Sequence, residues 1–108
     1  MSKYDRAAES YQKRDLPPAP SITLVTTSLT IKLETRSKMR RIKELLNAKG
    51  VKYEHIDLAL EDRGDEIAAK TGRREVPQLL VNGRFIGTAD DVQEFEDEGA
   101  LDGMLGLM

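Results

Sequence analysis

The chain of 108 residues has no cysteine, no tryptophan, a single histidine and only 5% aromatic residues. Without cysteine there is no disulfide, no thiolate nucleophile and no dithiol couple. One imidazole, His55, cannot build a Cys/His zinc cluster, and the acidic residues do not follow the spacing of a calcium-binding loop. No apolar run approaches the length that spans a bilayer, so membrane insertion is not expected. Met1–Arg6 carries charge without an apolar stretch behind it. A secretory leader is therefore not expected, and a cytoplasmic address is. A formal net charge of -2 gives no field to gather nucleic acid over the whole surface. The 39% hydrophobic and 33% charged residues suit a soluble domain, and the length suits one core rather than two.

Proline is scarce, yet three of the four prolines fall in Leu16-Pro17-Pro18-Ala19-Pro20. Proline fixes φ and biases the residue before it to extended geometry, so this stretch favours polyproline II. Residues 1–20 are expected to form a flexible, proline-rich arm, and residues 21–108 the domain. Arg14-Asp15-Leu16-Pro17-Pro18-Ala19-Pro20 also fits the R-x-L-P-P-x-P form of an SH3 ligand. Leu16, Pro17, Pro18 and Pro20 would form the ridge that meets aromatic grooves, and Arg14 would meet an acidic pocket. The other reading is a stiff linker.

Past the arm, Ser21–Ser28 is β-rich and apolar in its middle, as a buried strand is. Met39, Ile42, Leu45 and Leu46 recur at helical spacing over Arg36–Lys49, and Gly50 suits the turn beyond that helix. Val51–Leu58 reads as a second strand with Val51, Tyr53 and Ile56 inward. Glu61–Thr71 reads as a short helix, acidic at its start and with Lys70 at its end. Val76–Val81, Asn82-Gly83 and Arg84–Gly87 read as a hairpin with a type I′ turn. Thr88-x-x-Asp91 resembles a capping box ahead of a helix that carries Val92 and Phe95. Gly99 interrupts, and Leu101, Met104, Leu105 and Leu107 close the chain.

The order is strand, helix, strand, helix, strand, strand, helix. A βαβ unit followed by a hairpin predicts a four-stranded mixed sheet flanked by helices, an α/β domain of thioredoxin-fold topology.

The stretch T-G-R-R-E-V-P-Q-L-L-V-N-G-R-F-I-G, Thr71–Gly87, resembles the second half of glutaredoxins, T-G-x-x-T-V-P-Q-x-x-x-N-G-x-x-I-G followed by G-x-D-D. Lys43–Val51 resembles the glutaredoxin first helix and its exit. Counting back from Gly50 places the glutaredoxin C-P-Y-C motif near Arg36-Ser37-Lys38-Met39. The missing cysteines and the long connection from Val25 to Arg36 resemble the SH3-domain-binding glutamic-acid-rich-like family, whose members are small, cytosolic and non-catalytic. The proline-rich sequence that this family often has beside its third strand is absent here, as is an acidic tail.

The resemblance implies a cis Val76–Pro77 bond and a site for a weakly bound glutathione. Val76 and Pro77 would present the backbone, Arg73 or Arg74 would hold one carboxylate, and Ala89, Asp90 and Asp91 would meet the other carboxylate and the amino group. Glu75 departs from the pattern and sets a negative charge beside that path. Thr88 replaces the second glycine. The same residues also have a purely structural reading, with Pro77 serving a turn and Thr88 and Asp91 capping a helix.

Other clusters read as surface. His55 is expected to be a partly exposed strand residue. Asp57, Glu61, Asp62, Asp65 and Glu66 suit a solvated helix start. Arg36, Lys38, Arg40, Arg41 and Lys43 make one side of the first helix basic, without the aromatics that nucleic-acid readout uses. The hydroxyls of Thr26, Thr27, Ser28, Thr30 and Ser37 have no base partner evident in sequence. The expectation is a non-catalytic binding or adaptor protein with protein partners, SH3 domains among them, without a metal, a nucleic-acid partner or a cofactor beyond weak glutathione. The alternative is a redox protein or sensor that uses bound glutathione as its thiol.

Overall fold

The computed structural model describes residues 20–107; residues 1–19 and 108 lie outside the described residues. The strands are β1 (Ile22–Thr26), β2 (Glu54–Asp57), β3 (Gln78–Val81) and β4 (Arg84–Gly87). The helices are α1 (Leu33–Ala48), α2 (Gly64–Thr71), α3 (Ala89–Asp97) and α4 (Leu101–Met104). The strands form one sheet in the order β2-β1-β3-β4, with β1 parallel to β2 and antiparallel to β3, and β3 antiparallel to β4. This is the mixed sheet of the thioredoxin and glutaredoxin fold.

Side chains alternate across each strand, so the sheet has two apolar faces. On one, Ile22, Leu24 and Leu79 pack against Ile42 and Leu46 of α1, Val92 of α3, and Leu101 and Leu105 at the C-terminal end. On the other, Val25, Ile56 and Leu80 pack against Ile67 of α2. Truncating a side chain as buried as Leu46 or Leu79 to alanine costs about 2–5 kcal/mol, because the cavity collapses only in part.

Local chemistry ends the elements where the sequence signals it. Gly50 and Gly72 follow α1 and α2 in left-handed conformation, at φ 70° and 73°. Asn82 and Gly83 both have positive φ, 53° and 79°, as a type I′ turn requires. Asn82 also anchors the strand entry, since its side-chain oxygen accepts from the Ser21 N–H at 2.9 Å.

Four element starts differ from the expectation. α1 begins at Leu33, three residues before Arg36, as Arg36 N–H bonds to the Lys32 carbonyl. β2 is confined to Glu54–Asp57; Val51 and Tyr53 pack on the larger core cluster without joining the sheet. α2 begins at Gly64 rather than Glu61, because the Glu61 N–H turns back to the Asp57 carbonyl. β3 begins at Gln78 rather than Val76.

Candidate functional site

The residues ahead of β3 are built around a peptide bond between Val76 and Pro77 that is cis. Pro77 is buried, and Val76 packs on the Val25–Ile67 cluster. The loop before them is tied down from inside: the fully buried Gln78 donates its side-chain N–H to the carbonyls of Arg73 at 3.0 Å and Glu75 at 2.8 Å. Thr71 adds a second tie, with its hydroxyl oxygen accepting from the Arg73 N–H at 3.2 Å.

The start of α3 lies beyond β4. Asp91 accepts from the Thr88 N–H at 3.0 Å and from its hydroxyl at 3.2 Å, the carboxylate half of a capping box. Gly87 is required here: a Cβ on it would stand 2.5 Å from the Asp91 Cβ. Ala89 is buried under this turn.

The charged residues expected to hold an anionic peptide are thus on two walls, and each is engaged within the protein. Arg73 pairs with Glu75 at 2.7 Å and lies over the Phe85 ring, 4.7 Å from its centroid. Arg74 pairs with Asp65 at 3.0 Å. Asp90 pairs with Lys38 at 3.2 Å, and Asp91 is committed to its cap. Arg14, Leu16, Pro17 and Pro18 of the SH3-ligand motif lie outside the described residues. Pro20 does not: its ring packs near Gly106 and lines a small apolar cavity of about 200 Å³ with Ile22, Val51 and Leu105.

The positions matching the C-P-Y-C motif fall inside α1. Arg36 is exposed in its first turn, and Met39 places its sulfur 3.5 Å from the Thr27 N–H. Three apolar side chains at the entry to the helix are open to solvent, with Leu29 81%, Ile31 94% and Leu33 77% exposed.

One expectation among the hydroxyls is corrected. Thr26 does have a base beside it: its Oγ1 lies 2.7 Å from His55 Nε2, because β1 and β2 run parallel with Leu24 opposite His55. Thr26 is only 7% exposed, so the imidazole fixes a shielded hydroxyl. The acidic cluster is also dispersed. Asp57 accepts from the Ser28 and Ala59 N–H groups, each at 2.9 Å. Arg63 gathers Glu54, Glu61 and Glu66. Burial alone would raise the Asp57 pKa, but the Ala59 and Ser28 amides outweigh it and hold the carboxyl below its ordinary value. Among the described residues no three His, Asp or Glu side chains converge as a metal site, and no helix is long and apolar enough to cross a membrane.

A sequence model of the glutaredoxin family matches residues 40–86. Glutaredoxin 3 of Escherichia coli is 32% identical over 73 residues, which cover 67% of this chain and 88% of that protein. A Drosophila melanogaster glutaredoxin domain-containing cysteine-rich protein is 32% identical over 97 residues; these cover 87% of this chain but 21% of that protein. Among solved structures, a buckwheat glutaredoxin–glutathione complex superposes with a TM-score of 0.65 at 24% identity, covering 98% of this chain and 94% of that one. The actin interacting protein Aip5 of C. albicans superposes with a TM-score of 0.63 at 18% identity, covering 80% and 88%. At these identities the two superpositions establish fold alone.

Proposed function

The chain belongs to the glutaredoxin family, and because it has no cysteine we propose that it works as a protein-binding adaptor rather than by thiol turnover. The observation that carries this reading is the family's fold with no cysteine anywhere in the chain. The cis Val76–Pro77 bond, the tethered loop and the capped α3 are all present, while Arg36 and Met39 stand at the thiol positions. Two features support protein partners. The R-D-L-P-P-A-P segment, Arg14–Pro20, has the residues of an SH3 ligand and would dock as a pre-ordered ridge at small entropic cost. A solved structure of this fold is also described as an actin interacting protein. The missing cysteines extend the proposal to a likeness with the SH3-domain-binding glutamic-acid-rich-like family and to a cytoplasmic address.

Capture from native cytosol with the full chain and with a chain lacking residues 1–20 tests this reading. The adaptor reading expects partners that depend on the arm, and expects Arg14→Ala and Pro17→Ala to weaken SH3 binding by a peptide of residues 10–22. SH3 affinity that ignores both substitutions would remove that partner class.

A second reading, residual glutathione binding, is supported by the tethered loop from Arg73 to Gln78 and by the cap at the start of α3, two features that the glutaredoxin resemblance assigns to such a site. The engaged charges would make it weak, since glutathione must displace Glu75, Asp65 and Lys38 from Arg73, Arg74 and Asp90. Calorimetry with millimolar glutathione should give heat that Val76→Asp and Asp90→Ala abolish. Thiol-transfer turnover by glutathione and this chain together would move the function to the redox side.

A further inference from the structure

A groove of about 370 Å³ lies on the far side of β1 from Pro77, between α1 and the edge strand β2. It shares no lining residue with the Arg73–Pro77 and Ala89–Asp91 walls. Its chemistry is that of an anion site. Arg40 and Lys43, three residues apart on one face of α1, border it, and neither has a salt-bridge partner among the described residues. Thr26 and His55, held to each other at 2.7 Å, also line it. The Thr27 N–H at its rim has only the Met39 sulfur at 3.5 Å, a weak acceptor, so that donor is nearly unspent. The one carboxylate in the lining, Asp57, is already occupied by two backbone amides.

We propose that this groove binds a small phosphate monoester. Two cations without a salt-bridge partner among the described residues match the charge of a dianion, and the Thr27 N–H supplies a directional donor beside them. The volume suits a ligand of sugar-phosphate size. No Phe, Tyr or Trp side chain lines the groove. The site is independent of the adaptor and glutathione readings.

The test is an amide NMR titration of the full chain with ribose 5-phosphate, and in a parallel arm with inorganic phosphate. Saturable shifts confined to Thr26–Ser28, Met39–Lys43 and His55–Asp57 are expected, with the monoester binding more tightly than the free ion. Arg40→Gln and Lys43→Gln should each weaken binding about tenfold or more, the loss of a charge-assisted hydrogen bond. Arg36→Gln, on the same helix but off the groove, should leave it unchanged. Shifts that grow linearly without saturating would overturn the proposal. So would Arg40→Gln and Lys43→Gln proteins that bind as the parent does, or an equal loss in Arg36→Gln, which would mean diffuse attraction to a basic helix.

Discussion

Lys38 Nζ stands 3.2 Å from Asp90 Oδ2, and the same ammonium lies 3.2 Å from Glu34, one turn back on α1. Hydrogen bonds that the Lys38 ammonium donates, to Glu34 first and Asp90 second, hold its pKa above the ordinary value. The pair ties α1 to the opening turn of α3 and occupies the carboxylate that an incoming amino group would need. Lys38→Met should therefore strengthen glutathione binding several-fold while leaving the cap at Thr88 intact. Calorimetry on this variant beside Asp90→Ala is decisive. Weaker binding by Lys38→Met would show that Asp90 is not the ammonium's partner.

Gly87→Ala should destabilise the protein by about 1–3 kcal/mol, because its new methyl would overlap the Asp91 side chain at a buried position. Chemical denaturation of Gly87→Ala in the parent and in an Asp91→Gly background isolates the cause. The cost should shrink in the second background, where the opposing side chain is gone, since residues in contact do not contribute additively. A cost of equal size in both would place the strain in the backbone instead.

The hairpin, the glycine stops and the cap at Thr88 were legible in the sequence because each depends on residues within a few positions of one another. Asn82-Gly83 can make little other than a tight turn, and Thr88 reaches Asp91 within one helical turn. The start of α1 was not legible. Leu33 is apolar but exposed, so apolar periodicity marks the helix only from Met39 on. The family frame at Val76–Pro77 could be named from V-P-Q, but the ion pairs that engage it could not. Lys38 and Asp90 are separated by 52 positions, and Arg74 and Asp65 sit on different elements. Thr26 and His55 likewise meet only once the parallel register of β1 and β2 is set.

Lys49, at the C-terminal end of α1, reaches both Glu96 of α3, at 2.9 Å, and Asp102 of α4. Its side chain is 14% exposed, so this pair is screened less than a surface one. The hydrogen bond to Asp102, then that to Glu96, raise its pKa, with burial acting the other way. A raised folded-state pKa gives stability that is complete below the unfolded value and lost as pH rises through the folded one. Lys49→Met should cost about 1 kcal/mol near neutral pH. The gap from the parent should close only on the alkaline side, from the ordinary lysine value of 10.5 upward. Urea midpoints between pH 7 and 11 measure it, and a gap unchanged across that range would show that the lost contact is packing rather than charge.

Asp57 ends β2 and holds the start of both loops beside it, through the Ser28 N–H on one side and the Ala59 N–H on the other. Removing the carboxylate leaves both amides without a protein partner, so Asp57→Ala should cost about 2 kcal/mol at pH 7. The folded-state pKa is lowered, so this contribution is present above the unfolded value and fades as pH falls through the folded one. The difference between parent and Asp57→Ala should thus be constant from neutral pH down to about the ordinary 3.8 and shrink below it. Asp57→Asn keeps an acceptor but no titrating charge, and should show a smaller loss that does not change with pH. Parallel acid dependence in the parent and both variants would falsify the assignment, placing the acid-sensitive carboxylate elsewhere in the fold.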